Sequence, residues 1–430
     1  MRTTAQPDGS GAAARGAAIA LLEGVLGRHR TLEDALDALP PLEARDRGFA
    51  HLLAATVLRR LGTLDAVIEP YLRRPPPEAV RHALRIGAAQ LLLLGTPPHA
   101  AVGATVAAVR ALPKGAAFTG LANAVLRRIA AEGAAALDGL DGPRLDTPDW
   151  LWRSWHDAYG AETARAIATA HQREAPLDLT LKPGEDAAGW AERLGAEVLP
   201  TGSLRLAAEV RVPDLPGFAA GAWWVQDAAA ALPARLLRAR PGERVIDLCA
   251  APGGKTAQLT AAGARVCAVE RSPERAARLR ANLARLGLAA EVIEADAATW
   301  RPSEPADAVL LDAPCTATGT IRRHPDILRL KRAADAASLA ALQDALLANA
   351  AAMLRPGGRL VYAVCSLQAE EGEGAIARMA APLRHDPIAT DELPGLPEAV
   401  TREGFLRTTP ALWPERGGMD GFFAARLVRR

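Results

Sequence analysis

With 430 residues, half of them hydrophobic and 23% charged, the chain is too long for one ordinary core and is composed like a soluble globular protein of about two to four domains. A net charge of only +2 and 4% aromatic residues exclude a uniformly basic nucleic-acid binder and a broad base-stacking platform, so any RNA contact falls to local basic patches. Cys249, Cys267, Cys315 and Cys365 show neither the paired spacing of a zinc site nor the density of a disulfide framework, so no metal is expected and free thiols fit a cytoplasmic setting.

The first residues, MRTTAQPDGSGAAARGAA, lack the apolar core of a signal peptide and read as a frayed tail. From residue 13 to about 135, ARGAAIALLEGVL, RDRGFAHLLAATVLRRL, PEAVRHALRIGAAQLLLL and FTGLANAVLRRIAAEG place apolar residues at helical spacing, and proline-rich breakers divide them. An all-α bundle is expected. Its strongest apolar run, IGAAQLLLLG, is about half as long as a membrane span requires, so no membrane segment is expected. Residues 145–225 combine a Pro- and Trp-containing linker with short strand-like runs (LDLTLK, AEVLP, SLRLA, AEVRV) around one helix, a small α+β insert. Trp223 and Trp224 precede a helix in this reading and serve packing. From 226 to 430, the apolar strands ERVIDLCA, ARVCAVE, AEVIEAD, DAVLLDAP, RLVYAVCS and GMDGFFAARLV alternate with helices, the pattern of a doubly wound, mostly parallel α/β sheet of the Rossmann-like kind. Ligands of such sheets sit beyond the carboxyl ends of the strands.

Three features fall at such ends. Cys249, Ala250, Ala251, Pro252, Gly253, Gly254 and Lys255 form a small-residue turn from strand to helix, where backbone N–H groups can meet a carboxylate. The spacing is not that of a P-loop. Glu270 ends the next strand, where an acid can hold a ribose diol, and Asp296 ends the third, within reach of an adenine amino group. Each acid taken alone reads more often as a solvated loop residue, but all three features together read as a ligand site. Cys315, in a turn with Asp312 and Pro314, and Cys365 also follow apolar strands, whereas Cys267 lies within one and reads as a core residue.

LCAAPGGKT, DAPCTATGTIRRHPDI, YAVCSLQAEEGE and GMDGFFAARL, in this order, resemble the RsmB/Sun branch of the Nop/Sun RNA cytosine-5 methyltransferases, and the likeness extends over nearly the whole chain. The helical start resembles the NusB-like RNA-binding domain of that branch. The resemblance implies S-adenosylmethionine as cofactor, RNA and in particular small-subunit (16S) ribosomal RNA as partner, and the following roles. Cys249 to Lys255 surround the methionine part of the cofactor, Glu270 holds its ribose and Asp296 its adenine. Asp312 stands near the methyl donor and the base, Cys365 is the nucleophile, and Cys315 assists product release. Two departures stand out: Val364 precedes Cys365 where the family usually has Thr, and LDLTLK replaces an Arg–Val–Asn-like segment.

The chemistry accounts for these groups. Carbon 5 of cytosine is a poor nucleophile until a thiolate adds to carbon 6 and N3 takes a proton; a base must afterwards remove the carbon 5 proton. The base has to leave its stack to be reached. Arg322, Arg323 and Lys331, in the segment after Cys315, form the best candidate RNA-binding patch, with Arg59, Arg60, Arg127 and Arg128 as further candidates on helices. A DNA cytosine-5 methyltransferase, a transfer-RNA methyltransferase and a non-catalytic ribosome-assembly factor are the alternatives. A monomer is the default.

Overall fold

A computed structural model describes residues 10–206, 210–380 and 382–430. They form two compact units: residues 10–156 with Ala164–Arg173 and Ile321–Lys331, and Asp157–Thr163 with Glu174–Thr320 and Arg332–Arg430. The helix Asp149–His171 is kinked at Gly160 (φ 79°), and its middle residues, Asp157–Thr163, belong to the second unit.

The first unit is helical. Its main helices are Ser10–Leu22, Ala44–Arg59, Leu61–Ile68, Glu78–Leu92, Pro98–Ala111 and Thr119–Glu132. The first begins inside the stretch expected to be a frayed tail; the residues before Ser10 lie outside the described ones. Apolar side chains at helical spacing, including Leu21, Leu22, Leu53, Leu58, Leu84, Ile86, Leu126 and Ile129, are fully buried in one core. Gly87 lets two of the helices approach closely, since a Cβ there would stand 2.6 Å from Leu126 Cδ2. The two buried histidines lie in this unit, and burial pushes both down: His82 to about 4, with the adjoining Arg85 adding to the effect, and His171 to about 3.

The second unit contains two sheets. The small one has the order β2 (Glu197–Val198), β3 (Leu204–Leu206), β1 (Leu177–Leu181), β4 (Trp223–Val225), antiparallel throughout. Trp223 and Trp224 are therefore in a strand rather than at the approach to a helix; both are buried, as packing residues would be. AEVRV forms no strand among the described residues, and Ala208 and Glu209 of that run lie outside them. Asp178 in β1 takes a bidentate pair from Arg205 in β3, both contacts at 2.7 Å, so LDLTLK is committed to the sheet.

The large sheet has the order β10 (Leu383–His385), β12 (Phe422–Arg429), β9 (Leu354–Val364), β8 (Ala306–Asp312), β5 (Arg244–Leu248), β6 (Arg265–Glu270), β7 (Glu291–Glu294), with β11 (Leu406–Thr408) paired to β12. The strands from β9 to β7 are parallel and β12 runs against them. Alternate residues fill opposite faces: Val245, Ala308, Leu310 and Val361 meet the helices Leu232–Leu236 and Gly254–Ala261, whereas Ile246, Val309, Leu311 and Tyr362 meet Ala333–Met353. With both faces covered, the strands read as continuous apolar runs, and the fold is doubly wound as expected. Ala333–Met353 is the one helix among the described residues long and apolar enough to cross a membrane, but it packs on β8 and β9 of this sheet. The strand order reverses between β5 and β8, so the residues after β5 and β8 flank the switch point where ligands bind.

Candidate active site

The turn after β5 begins with Cys249 at φ +60° and passes through Ala250, Ala251 and a cis Pro252 to Gly253 at φ +106°. Gly253 has a double reason to be glycine: its backbone lies in the left-handed region, and a Cβ would fall 2.4 Å from Leu279 Cδ1. Gly254 then starts the helix Gly254–Ala261. Asp247, next to last in β5, was passed over in the sequence as part of an apolar strand. It is fully buried, accepts from Thr256 Oγ1 at 2.6 Å through one oxygen, and has no partner on the other. Burial, reinforced by the charge of Asp312, pushes its carboxyl up to about 7. Burial and the same group of acids push the Cys249 thiol up to about 12, so Cys249 lines the site as a neutral group.

Glu270 closes β6 almost wholly buried, accepting from the Ala251 N–H at 3.3 Å and the Ser272 N–H at 3.0 Å, with Arg275 at 3.6 Å. It thus braces the glycine turn from the neighbouring strand. Asp296 follows β7, is exposed, and accepts from the Ala298 N–H at 2.9 Å. On the other side of the switch point, Asp312 ends β8 and pairs with Lys255 at 2.7 Å. Burial would lower the Lys255 ammonium, but the charge and hydrogen bond of Asp312 outweigh it and raise the pKa. Lys255 also stands over the Phe422 ring at 5.1 Å.

The sheet register explains how the two thiols meet. Asp312 lies opposite Ala363 on the parallel neighbours β8 and β9, so Cys315 and Cys365 leave adjacent strand ends. Their sulfurs are 3.5 Å apart, and the Gly319 N–H bonds the Cys365 carbonyl at 3.0 Å. The hydrogen bond to Cys365, burial, and the nearby charges of Cys365 and Glu371 push the Cys315 thiol well up. Val364, in the place of the usual Thr, is fully buried in the apolar core and stands opposite Phe423 of β12. Sequence reading missed the groups beneath the thiols: Thr316, Ser366 and Gln343 gather around the buried carboxylate of Glu371. Glu371 was visible within SLQAEEGE, but three acids in that run gave no sign of which one turns inward.

The basic segment differs from expectation. Arg322 is 1% exposed, and its carbonyl accepts from Arg59 at 2.9 Å. Asp326 accepts from the Leu32 N–H, Arg329 donates to the Asp146 carbonyl at 2.8 Å, and Leu330 packs on the helical core. Ile321–Lys331 is thus built into the first unit, and the Arg322 side chain is turned away from solvent. Arg323 and Lys331 are half-buried. Arg59 is buried and Arg60 pairs with Asp146 at 3.0 Å, whereas Arg127 and Arg128 are exposed. Among the described residues, no group of three or more His, Cys, Asp or Glu could hold a metal ion.

Residues 234–428 match the family described as 16S rRNA methyltransferase RsmB/F, and residues 12–131 match the NusB family. Ribosomal RNA small subunit methyltransferase B of Sodalis glossinidius is 37% identical over 91% of this chain and 92% of its own length. The chain belongs to this family. The protein of the same name from Pseudomonas putida is 38% identical over 96% of this chain and 98% of its own. A methyltransferase homologue from Pyrococcus horikoshii, of known crystal structure, covers 65% of this chain and 94% of its own with a TM-score of 0.53 at 25% identity. Membership bears out the resemblance read from the four motifs and the helical start, and the two matches place a NusB region before the methyltransferase region in this chain.

Proposed function

We propose that this chain transfers a methyl group from S-adenosylmethionine to carbon 5 of a cytosine in small-subunit ribosomal RNA, with Cys365 as covalent nucleophile. The observation that carries this reading is the pair of thiols 3.5 Å apart beside Asp312, which is itself paired with Lys255 at 2.7 Å. Two sulfurs and an acid at one strand-end site match a reaction that must attack, protonate and eliminate on the same ring. The names of the Sodalis and Pseudomonas relatives favour ribosomal RNA.

The cofactor, when bound, supplies an electrophilic methyl group on a sulfonium. Asp247, with one unpartnered buried oxygen, suits its cationic end; Glu270 suits a ribose diol, and the N–H groups opening the helix Gly254–Ala261 suit a carboxylate. Cys365 adds through sulfur to carbon 6, and the proton needed at N3 is governed by Asp312 and Lys255. The ring then carries its electron density to carbon 5, where the new carbon–carbon bond would form as the methyl–sulfonium bond breaks and leaves a neutral thioether. Cys315 keeps its proton while Cys365 is free, and so does not compete for carbon 6. Once the Cys365 sulfur is bonded to carbon, its hydrogen bond and charge no longer add to what holds Cys315 up, so Cys315 can release its own proton to solvent and, as a thiolate, take the carbon 5 proton. Loss of that proton restores the double bond and expels the Cys365 thiolate. The test is transfer of label from methyl-tritiated S-adenosylmethionine to small-subunit ribosomal RNA, with digestion of the product. Label in 5-methylcytosine is expected; label in another nucleoside, or in transfer RNA or DNA alone, would overturn the reading.

A further inference from the structure

Thr316 follows Cys315 and Ser366 follows Cys365, and both side chains are fully buried on one carboxylate, that of Glu371, itself 0% exposed. Thr316 donates its backbone N–H to Oε1 at 2.9 Å and its hydroxyl to Oε2, and the Ser366 hydroxyl donates to the same Oε2 at 2.5 Å. Gln343 donates to Oε1 at 3.1 Å and to the Pro314 carbonyl at 2.9 Å, while the Tyr362 hydroxyl fixes the Glu371 carbonyl at 2.6 Å. Every one of these donors is uncharged. A carboxylate is an expensive way to fill an apolar space, and it is satisfied here only because several donors converge on it. Those donors belong to the two turns that carry the thiols and to the helix behind them.

We propose that Glu371 is the positioning residue that sets the two thiols against each other. Parallel pairing brings the ends of β8 and β9 to about 4.8 Å, the ordinary strand spacing, but the turns beyond them can still diverge. One carboxylate binding the residue after each cysteine removes that freedom and fixes the sulfurs at 3.5 Å. Glu371 touches neither the glycine turn nor Glu270, so cofactor binding does not depend on it. The proposal rests on the reading that both thiols serve one base, but its geometry can be measured without RNA.

The full chain is treated with diamide, which takes two electrons and two protons from the thiols as they form a disulfide, and linked Cys315–Cys365 peptides are followed by mass spectrometry. The sulfurs must close to about 2.05 Å, so the rate reports their alignment. Glu371→Ala should slow this step at least tenfold and lower kcat by about 100-fold, the scale of a 1 Å misplacement, with cofactor KM unchanged. Glu371→Gln, which keeps the length and can bond both hydroxyls, should recover part of each loss. Where Glu371→Ala does not melt cooperatively, Thr316→Val with Ser366→Ala, leaving the carboxylate in place, should give the same two losses. Folded variants that form the disulfide at the wild-type rate overturn the proposal, as does slowed disulfide formation with wild-type kcat. A wild-type chain that links its thiols rapidly, and more slowly without Glu371, yet methylates no cytosine would instead remove the functional reading and leave the positioning role standing.

Discussion

Replacing each thiol in turn by alanine separates attack from release. Cys365→Ala leaves only Cys315, whose thiol loses the hydrogen bond and charge of Cys365 but is still pushed up by burial and by the charge of Glu371, and an un-ionised thiol is a poor nucleophile. Neither methyl transfer nor a covalent adduct is expected. Cys315→Ala removes a sulfur 3.5 Å from that of Cys365 but spares the Thr316 and Ser366 bonds to Glu371, so Cys365 stays in place. Attack and methylation proceed while elimination loses its proton acceptor. A positioned general base contributes about 10²–10⁴-fold, so the methylated adduct should outlive that of the wild type by this factor. The assay is a denaturing gel after incubation with RNA and S-adenosylmethionine: Cys315→Ala should give a band of reduced mobility that carries tritium from the methyl group. An adduct with Cys365→Ala and none with Cys315→Ala would refute the assignment, reversing the two roles.

Glu270→Ala should weaken cofactor binding by roughly 1.5–3 kcal/mol, the range for hydrogen bonds to a charged group, partly because the Ala251 N–H it braces is set free; unchanged affinity by calorimetry would remove Glu270 from the cofactor site. The basic segment should divide: Arg322→Ala, losing a fully buried side chain, should cost about 1–3 kcal/mol of stability. Arg323→Ala and Lys331→Ala should instead each lower the salt dependence of RNA binding by about one unit, and a slope unchanged by both would assign the segment a purely structural role. His82 and His171 stay neutral in the folded chain down to about 4 and about 3, whereas in the unfolded chain they take a proton near 6.5. Below that pH the unfolded chain binds more protons, so their stabilising effect is full at neutral pH and falls by about 1.4 kcal/mol per ring and pH unit on acidification. Denaturant titrations of the wild type and of His171→Phe between pH 7.5 and 5 should show the shallower fall for the variant; parallel curves would show that His171 does not contribute.

Much of the architecture could be read directly from the chain because its causes are local. The turn at Gly253 needs a residue without Cβ, and Val245–Ile246, Ala308–Val309 and Val361–Tyr362 are apolar on both faces because both faces of their sheet are covered. Cys315, Cys365, Asp312 and Glu270 were legible as residues at the ends of such strands, and family likeness gave them roles that position alone does not. Short strands were less legible: three-residue β4, β10 and β11 are held by their neighbours, and a run that short carries no period of its own.

What only the tertiary structure decided concerns where charges go. Arg322 and Glu371 each sit in charged runs that look like solvated faces, yet both are buried, because partners far away in sequence supply their surroundings. The Arg322 carbonyl is held by Arg59, 263 positions earlier, and Glu371 by Thr316, 55 positions earlier. Hydrogen-bond donors at that separation leave no periodic trace in the chain, so the burial of a charged group depends on which elements the fold brings beside it.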